Sequence, residues 1–305
     1  MGLATWMRKL FSPDVGAHAN AAGRLAPGDP TPKTSAGPLR LKVGVVSTVG
    51  RYREHNEDNF FVPGLPPVRH DGRKDVDFES PSVLDLGSLL IVADGMGGQL
   101  AGEEASSMAV TLIPRELSKR LVGEALDQPQ TSRAIKEAVA VTNQEILAQS
   151  HIGAEYSNMG TTVVLAQFRR DHVYVAGIGD SRAYRLRDRK LEQLTKDHSL
   201  ADALGEAGTI SRSEVPFHKF KNVLYLYLGS KDARGGPDDV RVLPIASGDR
   251  FLMASDGLTG VVEDADIATI LAENDDPQLA SRLLMNRALA NNSKDNVTCL
   301  VVHVE

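Results

Sequence analysis

The sequence predicts an α+β domain, residues 41–305, preceded by a flexible tail over residues 1–40. Many short apolar runs rich in Val, Ile and aromatics occur without the regular strand–helix alternation of a doubly wound parallel sheet. Two long helical stretches stand next to each other instead of being dispersed between strands. The composition also changes abruptly near Leu41, from Ala-, Gly- and Pro-rich sequence to apolar, strand-like sequence.

The opening "MGLATWMRKLF" carries Trp6, Met7, Leu10 and Phe11 beside Arg8 and Lys9. It is too short and too charged for a secretory core, and Trp6 stands where N-myristoylation requires Ser or Thr. The alternatives are an amphipathic peg or a frayed end. The segment that follows has no apolar period and cannot bury enough surface to offset its ordering entropy.

"LKVGVVSTVG" and "DNFFV" then read as strands, and the proline- and charge-rich stretch from Pro63 to Gly87 as a long loop. "LLIVADGMGG" is a strand ending in a glycine turn. A helix is expected from Gly102 to Leu121, kinked or restarted at Pro114. A second, from Thr131 to Gln149, places Ile135, Val139, Thr142 and Ile146 on one face. "TTVVLAQFRRDHVYVAGIGD" and "RAYRLRDRKLEQLT" read as hairpins. "RFLMASDG" and "VTCLVVHV" are further strands, separated by two helices, the second capped by Asp276 with Pro277 at its first position. No internal repeat is visible.

A net charge of -6 with no basic block argues against nucleic-acid partners. One cysteine, Cys299, excludes an intrachain disulfide or thiolate metal site and suits a reducing cytoplasm. No run is long and apolar enough to cross a membrane.

Carboxylates recur where apolar strands begin or end: Asp58, Asp94, Asp180, Asp256 and Asp295. An isolated Asp-Gly is ordinarily a turn. Turn chemistry does not explain why these acids adjoin the most apolar strands, where an unpaired carboxylate is costly. Gathered at one edge of a core they would repel one another unless a cation lay between them. An all-oxygen set selects Mg²⁺ or Mn²⁺, which can clamp a phosphoryl oxygen and supply a hydroxide-like nucleophile. Arg53, a planar fork suited to phosphate, lies close by in "RYREHNED".

"RYREHNED", "VADGMGGQLAGEEAS", "MGTTVV", "GIGDSRAYRL", "LTKDHS", "ASDGLTG" and "KDNVT" occur in the order and spacing of the metal-dependent protein serine/threonine phosphatases. The chain resembles this PP2C or PPM family, most closely its bacterial branch, over residues 43–304. The resemblance implies a β-sandwich of two antiparallel sheets flanked by helix pairs, with metals in a cleft at one end. It implies core ligands Asp58, Asp94, Asp256 and Asp295 with the carbonyl of Gly95, for two Mn²⁺ or Mg²⁺ ions. A third ion would use Asp180 and Asp256. Glu57 would hold a water on the metal, and Arg53 would engage the substrate phosphate.

The implied activity is hydrolysis of phosphoserine and phosphothreonine on proteins phosphorylated by Ser/Thr kinases, by a cytoplasmic monomer. The alternatives are a non-catalytic binding module on the same fold and a hydrolase of small phosphomonoesters. Loss of metal ligands would mark the module, and none of the matching acids is lost.

The sequence departs from the pattern in places. Met96 stands where animal relatives carry the histidine assigned to protonate the leaving group, which leaves the general acid unassigned. Arg189 replaces the usual glycine of the "LRDRK" turn, so a different turn is expected. Residues 199–222 match a mobile flap, beside which His198 and His218 invite a ligand reading that competes with ordinary loop histidines.

Other chemistries lack their requirements. Cys299 is followed by "LVVHV" rather than a phosphate-cradling loop, and reads as a core residue. "GMGGQLAGE" lacks the Lys-Ser or Lys-Thr of a P-loop, and "ASDG" lacks the pattern of a nucleophilic elbow.

Overall fold

The computed structural model describes residues 39–65, 75–78, 82–85, 87–122 and 126–305. The expected tail, with its Trp6-to-Phe11 segment, lies outside the described residues apart from its last two.

The strands form two antiparallel sheets. The seven-stranded sheet runs β10 (Lys190–Gln193), β9 (Arg182–Arg187), β12 (Arg250–Ala254), β13 (Val297–Val304), β1 (Arg40–Thr48), β3 (Asp75–Asp77), with β4 (Ser82–Asp85) also on β1. The six-stranded sheet runs β11 (Arg241–Pro244), β8 (His172–Ile178), β7 (Val163–Arg169), β5 (Leu89–Met96), β2 (Asp58–Phe61), with β6 (Gly160–Thr161) also on β5. α1 (Gln99–Arg120) and α2 (Gln128–Gln149) cover one sheet. α5 (Asp264–Glu273) and α6 (Pro277–Ala290) cover the other. The short helices α3 (Leu200–Glu206) and α4 (Asp256–Thr259) complete the chain.

Both faces of each sheet are buried, which is why the central strands are continuously apolar rather than alternating. Along β5, Leu90 and Val92 point into the sandwich, while Leu89, Ile91 and Ala93 meet the helices. Along β13, Leu300, Val302 and Val304 point inward, and Cys299 and Val301 meet α5 and α6. Phe168 and Phe251 join the sheets edge to face, ring centres 5.4 Å apart. Each such fully buried ring contributes about 1.5–3 kcal/mol.

The Pro63–Gly87 stretch, expected to be loop, contains two short strands, β3 and β4, both paired with β1. Their alternate burial explains the weak apolar signal. α1 runs through Pro114 as one helix, so the chain does not restart there, one of the two outcomes expected. Buried Val110, Ile113 and Leu117 bind the turns on either side of the proline to the core, offsetting a cost of about 3 kcal/mol. α2 buries the expected face, and starts earlier because Asp127 and Gln130 form a reciprocal capping box. Asp276 caps α6 as expected.

The β9–β10 connection also differs from expectation. Asp188 and Arg189 both adopt positive φ, 50° and 61°. Two central residues of that conformation make the primed hairpin turn that matches strand twist. The turn is kept without its glycine, because sheet pairing on both sides imposes it.

Candidate metal and phosphate site

One end of the sandwich carries a cleft of about 570 Å³. Arg53, Glu57, Asp94, Gly95, Asp180, Asp256 and Asp295 line it. Asp58 lies behind this wall, only 1% exposed. The residues singled out in the sequence therefore converge on one place. His198 and His218 do not: the Nδ1 of the buried His198 is hydrogen-bonded to the backbone of Gly179, and His218 accepts from the N–H of Phe220. Met96 does line the cleft.

The acids come from both sheets. Asp58 and Asp94 face each other directly across β2 and β5. Like charges in that position repel, so the pairing is unfavourable on sheet grounds alone. Asp180 follows β8; Asp256 opens α4 after β12; Asp295 precedes β13. Asp94 does not end its strand as expected, because β5 continues through Gly95 and Met96 to pair with β6.

Two close backbone approaches bring these pieces together. A Cβ on Gly95 would lie 2.1 Å from the carbonyl oxygen of Gly102, so α1 can pack on β5 only with glycine there. A Cβ on Gly257 would lie 1.8 Å from the carbonyl oxygen of Asn296, and this contact sets Asp256 beside Asp295.

Small polar residues hold the acids, and sequence reasoning missed them. The Asp94 N–H donates to Thr162 Oγ1 at 3.0 Å, and Thr162 Oγ1 lies 2.7 Å from Ser181 Oγ, linking the ends of β5 and β8. Ser255 Oγ accepts from the Thr298 N–H and donates to Asp58 Oδ2 at 2.7 Å. Asn296 accepts from the Glu57 N–H at 2.8 Å and donates to the carbonyls of Val49 and His55. The available signal was a hydroxyl or amide residue adjoining the acids in "DS", "ASD" and "DN"; Thr162 adjoins no acid in the sequence and carried none.

The cluster is electrostatically frustrated. Burial above all, then the neighbouring acids, pushes the Asp94 carboxyl well above the usual range. Burial also raises Asp58, against hydrogen bonds from Thr298 and Ser255 that lower it. Burial and then Asp256 and Asp197 raise Asp180. Glu57 is raised by burial, against the attraction of Arg53. Asp58 Oδ1 and Asp256 Oδ1 are buried with no hydrogen-bond partner. Buried carboxylate oxygens without donors fit a cation between them, and the absence of sulfur or histidine in the set fits a hard one.

Among the described residues, no three Asp, Glu, His or Cys side chains draw close enough to enclose an ion by themselves. Carboxylates spaced apart around a cleft agree with Mg²⁺-like coordination, in which few carboxylates and several waters share the ion. Arg53 donates to Asp295 Oδ2 at 2.6 Å, while Asp295 Oδ1 accepts from the Asn296 N–H. The guanidinium is nearly half exposed and open to a second anionic partner.

A family model for protein phosphatase 2C matches residues 69–291. That span includes Asp94, Gly95, Asp180 and Asp256, while Arg53, Glu57, Asp58 and Asp295 join them through the fold. The serine/threonine phosphatase stp of Listeria monocytogenes is 34% identical over 257 residues, 83% of this chain and 92% of that protein. The crystal structure of the Mycobacterium tuberculosis serine/threonine phosphatase PstP/Ppp superposes with a TM-score of 0.71 at 28% identity, covering 87% of this chain and 99% of that one. The catalytic domain of PstP in complex with two manganese ions gives 0.68 at 29% identity, with 87% and 99% covered. A two-sheet sandwich, a strand-end carboxylate cleft and these matches have one reading: the chain belongs to the protein phosphatase 2C family.

Proposed function

We propose that this enzyme hydrolyses phosphoserine and phosphothreonine esters on proteins, with Mn²⁺ or Mg²⁺ held by the cleft acids. The observation that carries this reading is the convergence of buried, partly unpartnered carboxylates with an available guanidinium. Asp58, Asp94, Asp256, Asp295 and the Gly95 carbonyl would hold two ions, and Asp180 with Asp256 a third. Such ions neutralise phosphoryl charge and activate water at neutral pH.

The chain's own residues supply the rest. Arg53 offers its planar fork to the phosphate from the cleft rim, exchanging Asp295 for the substrate. Glu57, its proton affinity raised by burial, is suited to orienting water and accepting its proton. Met96 lines the cleft but cannot donate a proton, so it is not the acid for the leaving oxygen. The substrates are products of Ser/Thr kinases, met by a monomer in the cytoplasm, where the buried thiol of Cys299 stays reduced. Turnover of a phosphothreonine peptide in Mn²⁺, abolished by chelator and restored by added metal, is the expected result. Equal turnover in chelator would refute the metal assignment.

A further inference from the structure

A second groove, of about 420 Å³, opens beside the cleft and shares Asp180, Asp256 and Asn222 with it. Val215, Pro216 and Phe217 form one wall, and Val262, Glu263 and Asp264, at the start of α5, form the other. Phe217 is 88% exposed. An aromatic ring that covers nothing, standing over a groove, is costly to leave in water and is a surface on which a flat or aliphatic group can stack.

The charges facing this groove are unbalanced. Asp197 is neutralised by Arg182, whose Nη2 donates to it at 2.6 Å. Asp202 accepts from Ser199 Oγ and lies 4.0 Å from Arg212. Asp266, on the first turn of α5, pairs with Arg287 at 2.7 Å. Glu263 and Asp264 have no such ion pair among the described residues, and Glu263, at the N-cap position, makes no capping bond. Lys221 is the one opposing cation among the lining residues besides Arg182. Acids at a helix start favour the helix dipole, which accounts for their presence. It does not account for an exposed ring opposite them, or for a groove continuous with the reaction cleft.

We propose that this groove is a subsite for an arginine or lysine side chain of the substrate, lying a few residues from the phosphorylated one. The stem of that side chain would pack on Phe217 and Pro216, and its cation would meet Glu263 and Asp264. The subsite rests on the phosphatase reading above, and makes the enzyme select phosphoproteins with a basic flank.

Matched phosphothreonine peptides carrying arginine, norleucine or glutamate at flanking positions test this in Mn²⁺. The arginine peptide should show kcat/KM about tenfold above norleucine, with glutamate lowest and the preference shrinking in salt. Glu263→Lys with Asp264→Lys should invert the order, and Phe217→Ala should narrow it. Turnover of p-nitrophenyl phosphate, too small to reach the groove, should stay at the wild-type value in each variant. Equal kcat/KM for the arginine and glutamate peptides in wild type, or a preference that survives the lysine variant, overturns the subsite. Failure of wild type to turn over any of these esters would instead sink the phosphatase reading. Peptide binding followed by fluorescence anisotropy then decides the subsite, which falls unless the arginine preference is present in wild type and lost in the lysine variant.

Discussion

Replacing Asp256 by asparagine should destroy activity and yet stabilise the metal-free protein. Burial, and then the charge of Asp295, lifts the Asp256 carboxyl from an ordinary 3.8 to about 6. At about 1.4 kcal/mol per pH unit, the ionised group costs the fold up to about 3 kcal/mol. A raised carboxylate binds its proton more tightly when folded, so this cost is absent below about pH 4. It grows as pH rises through 6 and is complete above. The neutral amide of Asp256→Asn removes it, and in chelator at pH 8 the variant should melt about 6–12 °C above wild type, the gap closing near pH 4. In Mn²⁺ at a hundredfold excess over its dissociation constant, wild type should gain about 2.7 kcal/mol and the variant much less. Peptide turnover should fall by orders of magnitude, because the ions lose the field that places them. Thermal melts at both pH values, with Mn²⁺ or chelator, and calorimetric Mn²⁺ titration read all of this. A variant less stable than wild type in chelator at pH 8, or one with near-normal turnover in saturating Mn²⁺, would refute the reasoning.

Asp180→Asn should lower turnover while calorimetry still detects tight Mn²⁺ binding at the core pair; loss of that binding would place Asp180 in the core set. Arg53→Ala should raise KM for phosphopeptides about tenfold while Mn²⁺ binds as well as before or better, since Arg53 competes for Asp295; parallel loss of both affinities would make Arg53 a structural partner only. Arg189→Gly should raise stability by about 1 kcal/mol in urea melts, because glycine adopts the left-handed turn without steric cost; unchanged or lower stability would mean that the arginine side chain contributes more than the turn costs.

The parts of this molecule legible in sequence are those governed by local chemistry. The face of α2, the Asp276 cap and the central strands follow from period and capping, so they could be read directly. The acids stood out because carboxylates beside buried strands need a reason. What escaped was imposed from a distance. β3 and β4 exist because β1 offers them a pairing edge, and no window around Asp75 or Ser82 contains that edge. α1 survives Pro114 because the core grips Ile113 and Leu117. The Arg53–Asp295 contact and the Thr162–Ser181 link join residues that only the closed sandwich makes neighbours.

That the acids are divided between two sheets makes the cleft a property of the closed sandwich and of neither sheet alone. Asp58, Asp94 and Asp180 lie on or beside strands of one sheet, Asp256 and Asp295 beside strands of the other. The carboxylates share one cleft only because the two sheets close on each other. A change that loosens the two sheets would therefore spread the acids apart even where every one of them is kept.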